Sequence, residues 1–489
     1  MATKAHTNTG IVLLLACVAQ FMVVLDVAIV NVALPSIQRD LGIGQSSVQW
    51  IIIAYGLMIG GFLLLGGRIA DIWGRRRTLI TGLTVFVAAS IVAGSAGSPG
   101  LLIAARAVQG LGAALIPPAA LAILATTFDE GAARNRALGL YGATAGVSAS
   151  VGVIASGVLT SGPGWRWIFF INAPVGALLI ALALSFLPND SANDRARERI
   201  DIAGAVTVTG GLLLLVYALG RSTHDGWTSA STLGLLAAAA VLLTVFVGIE
   251  ARSRSPLVPA PAVRNRTLVA ANLSAFLLFG SFLAFIFLGS LQMQQVLGYS
   301  ATKTGLAWLA TTVTSFFAAA AAGAKLVGTL GVRRLLAAGF ALLGVAAWLL
   351  TRVPAEAHYA ANLLPVFILA GLAGGLGAPA IQIGALTGVP PAMAGLAGGL
   401  VETLREVGGG VGVAVVATVL ASRLSSTSAA GPLINQTAAA HAFHAAYWVI
   451  FAAAILGIVT ASIAFPRQRL DGDVEPTPTL ALHESSPRA

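Results

Sequence analysis

The amino-acid sequence predicts an all-α protein that crosses a membrane many times, and three observations lead to this prediction. Of its 489 residues, 57% are hydrophobic and only 9% are charged, whereas soluble globular proteins carry about 25% charged residues. The mean hydropathy is +0.89. The apolar residues form runs of about 20, the length that a helix needs to cross a bilayer. Water-soluble enzymes, disordered proteins and fibrous proteins are therefore excluded, and unpaired backbone groups exclude an open sheet in lipid.

Fourteen apolar runs follow one another along the chain, and each is predicted to be a transmembrane helix. They lie near residues 11–34, 48–67, 78–97, 101–127, 136–160, 167–187, 201–220, 230–250, 268–290, 303–323, 333–351, 362–387, 394–420 and 443–465. The first run is too long for the apolar part of a signal peptide and has no cleavage motif nearby. It is therefore predicted to be a retained helix.

Arginine and lysine are distributed unevenly between the two sides of these helices. If the N-terminus is cytoplasmic, most of the 28 basic residues fall in cytoplasmic segments, as the positive-inside rule requires. Both termini are therefore predicted to be cytoplasmic. The basic residues occur in twos and threes between apolar runs, so the net charge of +10 indicates membrane topology and not nucleic-acid binding.

Two charged linkers, 188–200 and 251–267, separate a pair of helices from the rest of the chain. The predicted domains are an N-terminal six-helix bundle (1–190), a linker with a two-helix insert (191–266), a C-terminal six-helix bundle (267–466) and a disordered cytoplasmic tail (467–489). A weak repeat supports this division, because GRIADIWGRRRTL at 67–79 aligns with AKLVGTLGVRRLL at 324–336.

Asp26 lies inside the first apolar run, where a carboxylate costs about 2.5–3.5 kcal/mol on insertion scales. Two interpretations are open. The side chain reaches water near the outer interface, or it lies in a central cavity, where it binds a cation or takes up a proton. Arg106, in the fourth run, is either a functional group of such a cavity or a structural partner that neutralises a carboxylate.

Three charged residues share one face of the thirteenth run. Glu402, Arg405 and Glu406 stand at positions i, i+3 and i+4 of a predicted helix, and together they carry one net negative charge. One carboxylate therefore lacks a full partner and is a candidate for proton binding. The alternative is a structural salt-bridge network between helices. With Asp26 and Arg106 included, the intramembrane charges still sum to one negative charge, which a proton or a cationic substrate would neutralise.

The remaining patterns exclude several kinds of site. The glycine-rich stretches lie inside apolar runs, where small residues let helices approach closely. No GK[ST] sequence of an ATP-binding loop occurs, so no cofactor and no ATP site are expected. Cys17 is the single cysteine, and His441 and His444 have no third ligand nearby, so no metal site is expected.

Five motifs occur in order along the chain. They are LDVAIVNVALPSIQRDL at 25–41, GRIADIWGRRR at 67–77, RAVQGLGAA at 106–114, WRWIFFINAPVG at 165–176 and LQMQQVLGYSATKTGLAWL at 291–309. Together they resemble the motifs of the fourteen-helix drug:proton antiporters of the major facilitator superfamily. The resemblance implies the major facilitator fold, with two six-helix bundles that rock about a site near the middle of the membrane.

The resemblance also implies roles for single residues. Asp26 is expected to couple proton transfer, with Asn31, Arg106, Gln109 and Arg405 lining the substrate cavity or pairing charges. The expected cytoplasmic gate consists of Gly67, Asp71, Gly74, Arg75 and Arg76. The chain departs from the family pattern at Ile72, at Val153 and Ser156 in the fifth-helix antiporter motif, and at Glu402 and Glu406, which stand where neutral amides are expected. These two glutamates are expected to carry further protons or to favour cationic substrates.

The sequence therefore predicts a transporter of the bacterial inner membrane, not an enzyme, that exports amphipathic and preferentially cationic drugs or antibiotics in exchange for protons. Its expected partners are these small molecules, protons and membrane lipid, with no nucleic acid, and it is expected to function as a monomer. One alternative is a transporter of a specific endogenous metabolite or self-produced antibiotic. A remote alternative is a membrane sensor or scaffold that transports nothing.

Overall fold

A computed structural model describes residues 8–44, 48–189, 201–227, 229–253, 255–354, 357–428 and 436–465. Within these ranges the chain is helical and contains no strand. The long helices are α1 (Thr9–Leu41), α2 (Trp50–Trp73), α3 (Arg75–Gly94), α4 (Pro99–Thr127), α5 (Ala132–Ser161), α6 (Asn172–Phe186), α7 (Ile202–Asp225), α8 (Ala230–Glu250), α9 (Arg266–Gln295), α10 (Leu309–Ala321), α11 (Val327–Leu350), α12 (Leu364–Leu386), α13 (Ala394–Ser428) and α14 (Gln436–Ala464).

Twelve segments of the described residues are long and apolar enough to cross a membrane. One of them, Lys303–Leu350, is a 48-residue segment that contains both α10 and α11. Gly331 interrupts the helical backbone of this segment with a φ of 76°. The repeat alignment pairs Gly331 with Gly74, where φ is 116° between α2 and α3. Both positions need a positive φ, which glycine adopts at no steric cost.

Short polar side chains start several of the helices. The Ser98 hydroxyl accepts a hydrogen bond from the Leu101 N–H at the start of α4, where Pro99 occupies the first turn. Asn265 accepts hydrogen bonds from two N–H groups at the start of α9, at 3.0 and 3.1 Å. Such caps satisfy donors that have no partner within the helix, and they define where the helix begins.

The helices form two groups with a hairpin beside them. The N-terminal group is α1–α6 and the C-terminal group is α9–α14. Between the groups, α2 packs on α13, and α5 packs on α10 and α12. Helix α7 packs on α8 and also on both α2 and α13. Helix α8 is the least buried of the membrane-spanning segments, because only 11% of the residues in its most apolar stretch are buried inside the protein.

Candidate functional site

Asp26 lies in a polar network inside the N-terminal group and is fully buried. Arg106 Nη1 of α4 lies 2.5 Å from Asp26 Oδ2, and Gln109 Nε2 donates a hydrogen bond to Asp26 Oδ1 at 2.8 Å. The i, i+3 spacing of Arg106 and Gln109 places both side chains on one face of α4, and Arg106 Nη1 also donates to Gln109 Oε1 at 2.7 Å. The structure therefore places Asp26 in an ion pair and not in water near an outer interface.

Two members of this network were not found by sequence reasoning. Asn172 Nδ2, at the start of α6, donates to Asp26 Oδ1 at 3.2 Å. Ser90 Oγ of α3 accepts hydrogen bonds from Gln109 Nε2 at 2.6 Å and from Asn172 Nδ2 at 3.3 Å. The carboxylate of Asp26 thus has three donors from two neighbouring helices. We call Asp26, Arg106, Gln109, Asn172 and Ser90 the Asp26 network.

The guanidinium of Arg106 is held on its other sides by α2. Its Nε donates to the Ile51 carbonyl at 3.1 Å, and its central carbon lies 4.2 Å from the centre of the Tyr55 ring. A cation over an aromatic face is attracted by the ring quadrupole, the more so where water is excluded. The buried pair is electrically neutral, so it satisfies the rule that buried charges are paired and hydrogen-bonded.

A second charged cluster lies on α13 and consists of Glu402, Arg405 and Glu406, which we call the α13 triplet. Arg405 Nη2 lies 2.7 Å from Glu402 Oε2 and 3.1 Å from Glu406 Oε1. The Glu402 side chain is 1% exposed, yet neither of its oxygens accepts a hydrogen bond of good geometry. The Glu406 side chain is 37% exposed. The triplet therefore combines one enclosed carboxylate with one accessible carboxylate.

Two buried tyrosines belong to the surroundings of these clusters, one beside each. The Tyr55 ring packs on the guanidinium of Arg106 in the Asp26 network. Tyr141 of α5 is buried, donates its hydroxyl proton to Gln20 Oε1 at 2.9 Å, and interacts electrostatically with Glu402 and Arg405. Aromatic residues on apolar helices give no sequence signal for such a role, so these tyrosines were not among the predicted site residues.

Asp71 links the two helical groups, because its carboxylate accepts hydrogen bonds from backbone N–H groups of the C-terminal group. Its Oδ1 accepts a hydrogen bond from the Gly395 N–H at 2.8 Å, and its Oδ2 accepts one from the Leu396 N–H at 2.7 Å. Both N–H groups belong to the first turn of α13, where the helix dipole attracts negative charge. The carboxylate at the end of α2 thus caps a helix of the other group.

The other predicted gate residues surround this contact. A side chain at Gly67 would collide with the Gly395 carbonyl, so glycine is required for the approach of α2 to α13. Arg75 donates to the Pro391 carbonyl, and its Nη2 lies 4.0 Å from Asp71 Oδ1. The Arg76 side chain instead contacts the N-terminal group, where it donates a hydrogen bond to the Leu184 carbonyl at 2.7 Å. We call the α2–α13 contact the polar seam, and the end of the molecule that holds Arg75 to Arg77 the arginine-rich end.

A second contact between the groups lies toward the same end. Gly139 of α5 approaches Gly323, in the π-helical segment that joins α10 to α11, so closely that a side chain on either residue would collide with the other backbone. Gly142 of α5 lies against Pro379 and Gln382 of α12. The molecule is therefore closed at the arginine-rich end along both sides.

Asn31 and the histidines lie apart from these clusters. Asn31 is exposed and donates its amide to the Val27 carbonyl of its own helix at 2.8 Å. The rings of His441 and His444 lie 5.7 Å apart, and among the described residues no group of three or more potential metal ligands occurs. Beyond the membrane-spanning part of α1, hydrogen bonds from Arg166 and Trp165 hold the pKa of Asp40 below its ordinary value.

The arrangement of two helical groups, closed at one end around a polar seam, is that of a known family. The sequence matches the Major Facilitator Superfamily over residues 16–413. The chain belongs to this superfamily. The matched range includes the Asp26 network, the α13 triplet and the polar seam, so all three are parts of a facilitator fold.

Relatives and solved structures agree with this assignment. The puromycin resistance protein of Streptomyces alboniger is 40% identical over 74% of this chain and 72% of that protein. The cephamycin export protein of Amycolatopsis lactamdurans is 37% identical over 87% of this chain and 88% of that protein. The crystal structure of the human organic anion transporter MFSD10 (TETRAN) matches with a TM-score of 0.65 and 14% identity, over 93% of this chain and 99% of that one. This last likeness concerns the fold alone.

Three sequence predictions are thereby confirmed. The protein belongs to the predicted superfamily, it is a transporter of small molecules and not an enzyme, and it is a multi-pass protein of the bacterial cell membrane.

Proposed function

We propose that the protein exports amphipathic drugs or antibiotics, preferentially cationic ones, across the bacterial cell membrane in exchange for protons. The observation that carries the proposal is the buried ion pair of Asp26 and Arg106, because its charge balance changes when one proton binds. The names of the two bacterial relatives, a puromycin resistance protein and a cephamycin export protein, support an antibiotic as the substrate.

Protonation of Asp26 is the step that couples transport to the proton gradient. In the ionised state the carboxylate balances the charge of Arg106, and three donors stabilise it. A proton on Asp26 leaves Arg106 as an uncompensated buried cation, and breaking a buried pair in this way costs about 3–5 kcal/mol. A conformation in which Arg106 finds another partner then becomes favourable, so the protonation state selects the conformation.

The α13 triplet supplies negative charge for a cationic substrate or for a further proton. Arg405 contacts both carboxylates, and the triplet keeps one net negative charge. Because Glu406 is the more accessible carboxylate, it exchanges protons or meets a cation more readily than Glu402.

The polar seam is the gate. While the Asp71 carboxylate accepts hydrogen bonds from two N–H groups of α13, the arginine-rich end stays closed. Opening this end breaks both hydrogen bonds, and closing it forms them again, so the gate is a two-state contact between rigid groups. Gly67 lets the two backbones approach closely enough for Asp71 to reach α13.

The proposed topology has fourteen crossings, both termini in the cytoplasm and the arginine-rich end on the cytoplasmic side. The break at Gly331 divides Lys303–Leu350 into two crossings, and the 30-residue helix α5 supplies another. The domains are then the two six-helix bundles, the insert of α7 and α8, and a cytoplasmic tail. We further propose that a lipid-embedded monomer is the functional unit and that the proton-motive force is its energy source, with neither a cofactor nor an ATP site.

A narrower substrate range is the second candidate. The cephamycin export protein is named for a single antibiotic class. This favours the alternative in which the present protein exports one self-produced antibiotic or one endogenous metabolite, and other drugs only incidentally.

Transport into inverted membrane vesicles tests the proposal. Vesicles with the protein should accumulate a cationic dye and several amphipathic antibiotics when an inward-acid pH gradient is imposed, and an ionophore that removes the gradient should abolish this uptake. Vesicles without the protein are the control. Uptake that persists without any gradient would contradict proton coupling, and uptake of one compound alone would establish the narrower range.

A further inference from the structure

The closed arginine-rich end has two sides that are held together in different ways. Across the polar seam, both oxygens of the Asp71 carboxylate accept hydrogen bonds from backbone N–H groups of α13. Across the second contact, α5 meets the C-terminal group by close packing, with Gly139 against Gly323 and Gly142 against Pro379. One side is therefore closed by charge-assisted hydrogen bonds, and the other side is closed by glycine packing.

Gln382 of α12 is a buried polar residue at this second contact. It stands three residues after Pro379, so both side chains lie on one face of α12. Its Oε1 atom lies 3.3 Å from the position that a Cβ atom on Gly142 would occupy. The residue is 6% exposed, and its Oε1 accepts no hydrogen bond from any residue that the structure describes. The amide oxygen is thus enclosed between the two helical groups without a partner.

The other buried glutamines have a partner for this oxygen. Three more glutamines are buried in the described ranges of the chain, and the side-chain oxygen of each accepts a hydrogen bond: Gln20 from Tyr141, Gln109 from Arg106 and Gln292 from Tyr447. Most buried polar groups of proteins are paired in this way, and a buried carbonyl without a partner lowers stability. The exception at Gln382 lies where the two groups must separate.

Opening of the arginine-rich end changes the surroundings of this amide, because it separates α5 from α12. Water then reaches the amide oxygen and donates the missing hydrogen bond. The free-energy cost of the unpaired oxygen therefore applies to the closed conformation alone. A cost that applies to only one of two conformations shifts the equilibrium toward the other one.

We propose that Gln382 destabilises the closed arginine-rich end and thereby favours its opening on the side where α5 meets α12. The hydrogen bonds of Asp71 stabilise the closed end, and the unpaired amide of Gln382 opposes them, so the two conformations differ little in free energy. The inference rests on the proposed function only in that this end opens and closes. It is independent of the substrate and of proton coupling.

Distances between spin labels across the arginine-rich end test the proposal. The labels are attached to the full-length protein in lipid nanodiscs at the exposed positions Ala133→Cys of α5 and Thr329→Cys of α11, with Cys17→Ser in every sample. The protein with Gln382 intact should show a short distance for the closed end and a longer distance for the open end. Gln382→Met keeps the length of the side chain and removes the amide, so it should raise the closed-to-open ratio about tenfold.

A second pair of variants supplies a partner and leaves the amide in place. Gly142→Ser adds a hydroxyl donor beside the Gln382 oxygen, whereas Gly142→Ala adds the same Cβ atom without a donor. Both variants crowd Pro379 equally. The serine variant should therefore have the higher closed-to-open ratio of the two.

Gln292→Met is the matched control, because it removes a buried glutamine whose oxygen is paired with Tyr447 inside the C-terminal group. It should lower the melting temperature and leave the closed-to-open ratio unchanged. The proposal is overturned by an unchanged or lower ratio in Gln382→Met, by equal ratios in the two Gly142 variants, or by an equal rise in Gln292→Met. An end that is closed in every molecule with Gln382 intact also overturns it. Because no transport is measured, these outcomes are independent of the vesicle experiment.

Discussion

The Asp26 network and the α13 triplet are both charged clusters in apolar helices, but they differ in how their buried charges are compensated. The network pairs one carboxylate with one guanidinium and adds two amide donors, so it is neutral and its carboxylate is fully hydrogen-bonded. The triplet has two carboxylates for one guanidinium, and Glu402 accepts no hydrogen bond of good geometry. The first cluster lies within one helical group, and the second lies on a helix that forms a seam.

Under the proposed mechanism, this difference separates two kinds of proton site. A proton on the Asp26 network destroys a neutral pair, so it must change the structure. A proton on the triplet relieves an excess of negative charge, so the structure can accept it with little rearrangement. We therefore expect Asp26 to control conformation and the triplet to control charge stoichiometry.

The largest effect is expected from Asp26→Asn, which should abolish uphill, proton-driven export. The variant also leaves Arg106 uncompensated, so it should lose about 3–5 kcal/mol of stability. The double variant Asp26→Asn with Arg106→Gln restores neutrality and should recover folding but not coupled export. Transport in liposomes and thermal unfolding, measured on both variants, separate the two effects. Uphill export by the double variant at the wild-type rate would remove Asp26 from the coupling mechanism.

The next effect is expected at Glu406. If Asp26 and Glu406 each carry a proton inward while a monovalent cation leaves, one net positive charge enters per cycle. The membrane potential then contributes about 2.3 kcal/mol per 100 mV, a factor of roughly 50 in the accumulation ratio. Glu406→Gln should lose this dependence on the potential.

Glu402→Gln is its matched control and should keep the dependence, because the enclosed Glu402 serves as the partner of Arg405. The measurement is transport of a monovalent cationic drug into liposomes under a clamped potential. If wild-type transport does not depend on the membrane potential, the whole triplet has a structural role and carries no proton.

Asp71 is a third buried carboxylate, and it differs from both clusters because its hydrogen-bond donors are backbone N–H groups of the other helical group. Asp71→Asn weakens its charge-assisted hydrogen bonds by about 1.5 kcal/mol, which shifts the gate equilibrium roughly tenfold. Turnover in liposomes should fall by a similar factor, while drug affinity in detergent stays unchanged. Gly74→Val should act in the same direction, because it forces a positive φ on a branched residue. Lost affinity with normal turnover would contradict the gate assignment.

The smallest effect is expected at Asp40, an exposed carboxylate paired with Arg166 at 2.7 Å. Its pKa is lowered in the folded protein, so the pair stabilises the fold above the unfolded-state pKa of about 3.9. This stabilisation disappears as the pH falls through the lower pKa of the folded state. Asp40→Asn should therefore melt slightly earlier than the wild type at pH 7, and the two should melt together in strong acid. A difference that grows with acidity would contradict this sign.

The sequence predicts much of the fold because apolar length and glycine positions are local signals. The run at 101–127 corresponds to Pro99–Thr127, and the alignment of Gly74 with Gly331 identifies two positions that both have a positive φ. Partners across helices are not local signals. Asn172 and Ser90 are neutral residues far from Asp26 in the chain, and only the packing of α3 and α6 brings them to it.

The partners of the gate residue Asp71 are also not predictable from the sequence. The motif predicts that Asp71 is important, but its partners are the backbone N–H groups of Gly395 and Leu396, which no side-chain pattern can indicate. Likewise, i, i+3 spacing places Glu402 beside Arg405, but only the three-dimensional structure shows that Glu402 is enclosed while Glu406 is accessible.

The position of α7 has a consequence for solutes dissolved in the bilayer. Beyond the polar seam, Leu213 packs on Gly61 of α2, the Tyr217 ring lies 5.8 Å from that of Trp50, and Trp227 donates to Thr418 of α13. The hairpin of α7 and α8 therefore shields this flank of the molecule from lipid. An amphipathic compound that diffuses within the leaflet on this flank therefore meets the hairpin before it meets α2 or α13.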